Sequence, residues 1–533
     1  MQRLALPYDK IPQLSTFDKA YQRGDQRLRP FYAAAPEIDN FAAAIQQRQF
    51  SAERRALLVQ ELQAQYAHLE QPEILKAQLA ALGQEQTFTV TTGHQPNLFT
   101  GPLYFVYKIL GTIRLAQELK IAYPQYHFVP IYWLGEEDHD FEEIKHTYLF
   151  GRPLVWEDHQ GGALGQYKID SLAPVLSELF EILGDSPEAQ ELKTSLQAAF
   201  SGPKTYGQAF MEWVHALFGR YGLVVLRASS PALKASFSEV MKEELLQQSS
   251  KAILEKSYAE LEAAGFGPQA YARDINLFYL LPNKRSRIIQ NEAGEYAVLD
   301  SDLRFSEAKI LAELEQHPER FSPNVILRPL YQEQILPNLA YVGGGGELAY
   351  WMERKAQFAH YQTPFPILVR RNSVQLIDAR SAKNWQALGF DWPQLFEETE
   401  TLRQDFVRRQ TEHELSFEAE QAQIKALFEQ IGEKTAAVEP TLKASVAAQE
   451  AQIQKSLDKL QKRLMRAEKQ KMDSKLNKIQ KLQNKLLPKS KLQERYSNFM
   501  EFYLRLGGPK WLDQLLQELN PLQKDFLLLI EED

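Results

Sequence analysis

The residues best suited to chemistry fall in two short stretches. The first is Thr92-Gly-His-Gln-Pro-Asn-Leu-Phe-Thr-Gly-Pro-Leu-Tyr104. Gly93 and Gly101 bracket a loop that carries His94, Gln95 and Asn97. An imidazole and two amides can donate hydrogen bonds to a phosphate or carboxylate as charge builds on it. The spacing echoes a His-x-x-His signature with Asn97 in the second place. The plainer alternative is a histidine that caps its own loop. The second stretch, Glu136-Glu-Asp-His-Asp140, is the densest ionisable cluster at a strand end. Glu136 or Asp138 can hold an ammonium there, and His139 can take a proton from an attacking amine near neutral pH. If 138–147 is helical, His139, Glu143 and His146 share one face, a zinc set and the core of a metal-dependent hydrolase. An acidic helix start accounts for the same residues.

Three weaker candidates lie further along. Gly343, Gly344, Gly345 and Gly346 can form a backbone nest for an anion, or simply let a strand and a helix approach closely. Arg370 and Arg371, at the end of an apolar strand, could clamp carboxylates bidentately; surface ion pairs explain them equally well. Lys284-Arg-Ser-Arg287 reads as an exposed hairpin rather than a phosphate loop.

The elements that would position these groups are legible. Thr87–Thr92 is β-branched or aromatic at most positions and predicts a strand. Pro102 suits a first helical position, and Tyr104, Tyr107, Lys108, Leu110 and Ile113 carry a helix to about Leu119. His127–Trp133 predicts a second strand. Strand, helix, strand at this spacing is a βαβ unit, so both strands are expected to be parallel and their loops to open on one edge of a sheet. That edge is where α/β proteins bind ligands. Strands are also expected at Gly222–Arg227, Asn324–Leu330, Leu339–Val342 and Pro366–Arg370, with a small antiparallel piece over 271–300.

A chain of 533 residues exceeds one compact core. The expected division is an N-terminal arm with helices (1–85), a core (86–392) with insertions near 147–220 and 240–320, a coiled-coil arm (393–490) and a helical cap (491–533). Leucines and isoleucines after 395, broken at Pro440, predict two long antiparallel helices. Residues 451–491 hold thirteen Lys/Arg against three acidic residues, a net +10 within a chain of net −8. The remainder is therefore strongly acidic. A solvated coiled-coil face fits this better than a nucleic-acid surface, since no aromatics are interleaved between Ile453 and Leu492. There is no cysteine, which excludes disulfides and Cys-ligated zinc within the chain and fits a reducing cytoplasm. The N-terminus lacks an apolar leader and no stretch predicts a membrane span.

Three motifs together carry a resemblance: 92–104 as quoted, Pro130-Ile-Tyr-Trp-Leu-Gly-Glu-Glu-Asp-His-Asp-Phe-Glu-Glu-Ile144, and Tyr341-Val-Gly-Gly-Gly-Gly-Glu-Leu-Ala-Tyr-Trp351. They resemble the bacillithiol-synthesis cysteine-adding enzyme family, BshC, over the whole length. The resemblance implies an α/β, Rossmann-like parallel-sheet core of the nucleotidyltransferase and class I synthetase kind, with insertions and a long coiled-coil arm used for homodimerisation. The implied reaction joins the carboxyl of cysteine to the amine of glucosaminyl-malate. In that frame His94, Asp138 and His139 are the expected catalytic groups. Gln95, Asn97, Tyr104 and Glu136 are expected to bind substrate, Glu136 through the cysteine ammonium, and Arg370 and Arg371 through the malate carboxylates. Gly93, Gly101, Gly343, Gly344 and Gly345 are expected to cradle phosphates. ATP, with magnesium at most as its companion, is the expected co-substrate. The competing expectations are the His139/Glu143/His146 hydrolase and a nucleic-acid-binding coiled-coil protein.

Overall fold

The computed structural model describes residues 1–411 and 415–532. Five strands form the central sheet: β1 (Thr87–His94), β2 (His127–Leu134), β3 (Val224–Leu226), β4 (Asn338–Gly343) and β5 (Ile367–Arg370). Their order is β5-β4-β1-β2-β3 and every pairing is parallel. This is the expected Rossmann-like core. Strand β1 is buried along nearly its whole length, so its threonines need partners inside. Thr89 and Thr91 both donate to Asn338 Oδ1 of β4, and Thr92 to the Val342 carbonyl.

Helix α1 (Tyr104–Ala122) returns the chain from β1 to β2. In register, Gly93 faces Trp133 and His94 faces Leu134, so β1 and β2 end together. Their loops leave on the same rim, as expected for a βαβ unit. Helix α2 (Gly345–Met352) follows β4 directly.

Two additions shape that rim. A five-stranded antiparallel sheet contains the expected hairpin, now Leu277–Leu281, Lys284–Gln290 and Tyr296–Val298, and adds Phe321–Pro323 and Arg304–Phe305 at its edges. A three-stranded sheet joins Gln2–Pro7 and Val374–Ile377 to either side of Asp525–Ile530, so both ends of the chain meet. The N-terminal segment is thus a paired strand plus a helix (Thr16–Gln22), not simply an extended arm. The segment expected as a strand at 324–330 instead leads into the helix Arg328–Ile335. Pro329 sits in its first turn, where a missing N–H goes unnoticed.

The long helix expected from 395 is broken into Thr399–Gln410 and α3 (Glu418–Ala436); residues 412–414 of that expectation lie outside the described residues. Helix α3 pairs with α4 (Leu442–Lys471) across a turn at Pro440. Gln454 Nε2 donates to the Gln421 carbonyl, and Gly432 lies against Val446, which fixes the pair as antiparallel. Leu457 is partly buried and Leu464 packs against the cluster at the base of the arm, but Leu427 and Leu460 are about half exposed. Among the described residues no helix is long and apolar enough to cross a membrane.

Candidate functional site

A cleft of about 690 Å³ opens at the C-terminal rim of β1 and β2. Its floor is the pair of strand ends and its roof is the antiparallel sheet. The two motif loops meet across it: Gln95 Nε2 donates to Asp138 Oδ2 at 2.6 Å and to Glu143 Oε2 at 3.0 Å. Asp138 Oδ1 accepts from the His139 backbone N–H at 2.7 Å. Partial burial works against the Asp138 charge, yet these hydrogen bonds and the nearby Arg285 guanidinium hold its carboxyl well below the usual range. His94, Gln95, Glu136 and Asp138 all line this cleft, with Gly93 at its base.

The His94 ring sits inside a polar and aromatic collar. Tyr104 Oη is 3.0 Å from its Nε2 and Asn97 Nδ2 is 3.3 Å away, while Tyr104 and Phe105 meet the ring edge-on. Burial first, then the Lys108 and Arg371 cations, push the imidazole down to about 3, against an opposing pull from Glu347. His94 is therefore neutral at pH 7, a hydrogen-bonding group rather than a cation. Burial, then Glu347, pushes the Tyr104 phenol up to about 12.

The loop beyond His94 is strained. Phe99, Thr100 and Gly101 take φ values of 49°, 74° and 66° in succession, a conformation costly for the first two. Gly101 also needs to lack a side chain, since a Cβ there would lie 2.7 Å from Asn97 Cβ. Asn498 holds this loop: its Nδ2 donates to the Phe99 and Gly101 carbonyls at 3.0 and 2.9 Å, and to Thr147 Oγ1 at 3.2 Å. The neighbouring Ser497 carbonyl accepts from Leu103 N–H at 2.8 Å.

Beneath His94 lies an ion pair the motifs did not announce. Lys108, from the buried face of α1, donates to the Gly93 carbonyl and to both oxygens of Glu347, at 2.9 and 2.8 Å. Tyr341 Oη donates to Glu347 as well, and Gly344 N–H does so at 3.3 Å. Burial works against the Glu347 charge, but the Lys108 contact outweighs it and holds the carboxyl down to about 2.

Several expected site residues are elsewhere or already occupied. Arg370 donates to Asp18 at 2.6 Å and to the Arg371 carbonyl; Arg371 makes a bidentate pair with Glu494 at 3.0 and 2.8 Å. Both are 2% exposed, so the malate-clamp reading of this pair is overturned: they bind the chain's own carboxylates. Gly343, Gly344 and Gly345 do not line the cleft. The N-terminus of α2 is capped by Glu347, and a Cβ on Gly345 would lie 2.1 Å from Asp18 Oδ1, so internal carboxylates fill the place expected for a phosphate. Gly101 shapes its loop and does not line the cleft either. Glu136 is 2% exposed and its oxygens accept from Arg227 at 2.8 Å and Ser229 at 2.7 Å, so its charge is already matched inside the chain and it presents almost no surface to an ammonium. His139 faces outward, its Nδ1 accepting from Arg285 at 3.1 Å, so its basic lone pair is engaged. The zinc reading loses its helix: only Phe141–Ile144 is helical and His146 opens a strand. Among the described residues no three His, Cys, Asp or Glu are grouped to hold a metal. Arg285, expected on an exposed hairpin, reaches over the cleft and stacks on Phe278 at 4.0 Å.

The comparisons with known proteins bear on the whole chain. Residues 1–372 match the family model described as bacillithiol biosynthesis BshC, N-terminal Rossmann-like domain, and residues 374–531 match its C-terminal coiled-coil domain. The chain belongs to the BshC family. It is 41% identical over 527 residues to a Flavobacterium psychrophilum protein named "Putative cysteine ligase BshC", covering 98% of each chain. A Flavobacterium johnsoniae protein of the same name is 38% identical over 98% of this chain and 99% of its own, and one from Chlorobaculum tepidum 29% over 90% and 89%.

For a BshC-family chain, Lys108 was detectable in principle. It is a lone cation inside Tyr107-Lys-Ile-Leu110, and a buried lysine needs a partner. Glu347 closes the glycine run, where an acidic residue three positions past the N-cap glycine is itself a helix-start signal. Asn498 and Arg328 carry no local signal; only folding brings them to the rim.

Proposed function

We propose that the chain is a ligase that joins the carboxyl of L-cysteine to the amine of glucosaminyl-malate, completing bacillithiol with an amide bond. The observation that carries this reading is the Gln95 bridge to Asp138 and Glu143. It brings the two motif loops to one cleft of small-molecule size, with carboxylates on one wall. Asp138 and Glu143, oriented by Gln95, hold the amine. Neutral His94, set by Tyr104 and Asn97, offers a hydrogen bond where charge develops on the reacting carboxyl. The Lys108–Glu347 pair fixes the strand end from below.

Amide formation from a free carboxyl needs an activating co-substrate, and ATP with magnesium is the one we propose. Gly93 lies at the base of the cleft, but Gly343, Gly344, Gly345 and Gly101 do not fit its phosphates, because internal carboxylates occupy the α2 N-terminus and Gly101 faces its own loop. No step is therefore routed through those glycines. We also propose a homodimer through the arm, since Leu427 on α3 and Leu460 on α4 are apolar side chains left about half exposed. Leu427→Glu with Leu460→Glu is expected to halve the mass read by light scattering; an unchanged mass removes the arm from any interface.

The direct test supplies purified protein with cysteine and glucosaminyl-malate, with and without ATP, and reads the product by mass spectrometry. Bacillithiol that forms only with ATP is the expected result. A folded protein that makes none under either condition overturns the assignment.

A further inference from the structure

With Arg370 and Arg371 withdrawn into the interior, the cleft has another arginine to account for. Arg328 opens the helix Arg328–Ile335 and lines the cleft beside Glu347 and Tyr341. Its guanidinium lies 5.7 Å from the Trp133 ring centre and 5.9 Å from those of Tyr341 and Trp351. Aromatic faces favour a cation and exclude water, but they offer no acceptor in the guanidinium plane. Nη1 donates to Gln332 Oε1 at 3.0 Å, and the Tyr350 hydroxyl and Glu347 carboxylate are near enough to favour the charge, whereas Nη2 is buried with no hydrogen-bond partner. A buried donor left unmade is costly unless something else completes it.

The charge balance of the walls points the same way. Lys108 is matched by Glu347, Lys234 by Glu137 at 2.7 Å, and Arg227 by Glu136. Arg285 lies over the Asp138 wall, where Glu143 adds a second carboxylate. Among the described residues, no ion pair involves Arg328. The cleft thus carries one unmatched negative charge on the Asp138–Glu143 wall and two arginines outside any ion pair among the described residues: Arg273, which is exposed at the mouth, and Arg328, which is partly buried among aromatic rings.

We infer that Arg328 is a carboxylate-binding subsite, the pole opposite the amine-binding wall. Arg328 as a whole is partly exposed to the cleft, and a guanidinium edge pairs with a planar two-oxygen acceptor in a geometry that a lone lysine could not match. Both substrates named above carry a carboxylate together with an amine, so the source is either the malyl group or cysteine; those two identities rest on the ligase reading.

The test is binding, which needs no turnover. L-malate and L-cysteine are titrated separately by calorimetry into the full-length protein and into Arg328→Met, Arg328→Gln and Arg328→Lys. Loss of at least tenfold in affinity for one ligand in the Met and Gln variants, partly retained in Lys, is expected, and the responding ligand identifies the source. Equal binding of both ligands to wild type and folded Arg328→Met, or no binding of either to wild type, overturns the subsite. Should the variants misfold, the wild-type protein is treated with phenylglyoxal and mapped by peptide mass spectrometry. Protection of Arg328 by saturating malate or cysteine supports the inference, and unchanged modification overturns it. A protein that binds through Arg328 yet makes no bacillithiol would sink the ligase reading alone.

Discussion

His94 is made neutral by its surroundings, and that has consequences for both activity and stability. Its ordinary value of 6.5 falls to about 3 in the folded chain. Below pH 6.5 the unfolded chain takes up a proton that the folded chain refuses, so stability falls as pH drops from about 6.5 toward 3. At pH 5 the loss from this one group is at most about 2 kcal/mol, less in practice because the ring partly faces the cleft. Glu347 has the same sign: its carboxyl, held at about 2 against an ordinary 4.5, contributes stability that disappears as pH falls through that window. His94→Asn is therefore expected to unfold at more similar urea midpoints at pH 7 and pH 5 than wild type does. It is also expected to lose about a hundredfold in turnover if the ring hydrogen-bonds the reacting carboxyl. An unchanged pH dependence of the midpoint in His94→Asn would show that the imidazole is not the group refusing the proton.

At the scale of elements, the loop between β1 and α1 is the strained part. Two non-glycine residues in a row hold positive φ, and the carbonyls on either side are caught by one amide, Asn498. Strain of this kind persists only where neighbours over-determine it. Asn498→Ala leaves those carbonyls without their partner, at a cost of about 1–3 kcal/mol for each that stays buried. The loop then relaxes away from His94. A fall of tenfold or more in kcat, with faster hydrogen exchange at 98–103 and little change in KM for cysteine, is the expected pattern. Asn498→Asp, which keeps the size but loses the donor, should behave like alanine. If turnover survives in Asn498→Ala while the loop exchanges faster, the loop's shape does not matter to the chemistry.

Across the whole molecule, the C-terminal segment is built into the core rather than appended to it. Glu494 is fully buried and paired with Arg371, which also lies 5.0 Å over the Tyr104 ring behind His94. A substitution far along the chain is thereby felt at the site. Arg371→Met strands a buried carboxylate and is expected to cost about 3–5 kcal/mol in urea unfolding. Arg371→Met with Glu494→Leu should recover most of that loss, since an apolar pair of similar volume replaces both charges. Failure of the double variant to recover would mean that the pair is needed for more than charge balance.

How much of this was readable beforehand depended on how local the cause is. The sequence by itself determined the βαβ unit, because a buried strand, a proline-led helix and a second strand are each written in consecutive residues. It therefore also determined that His94 and Asp138 would share a rim, since parallel strands end on one side. The antiparallel arm followed from leucine spacing around Pro440, although which leucines face inward did not, because Leu460 turns out while Leu464 turns in. What an arginine or glutamate does was decided only by the tertiary structure. Arg370, Arg371 and Glu136 have the composition of a binding site, yet each is consumed by a partner at least 90 residues away or in another segment: Asp18, Glu494 and Arg227. Charge is a property of the residue, but availability is a property of its neighbours, and long-range contacts choose those.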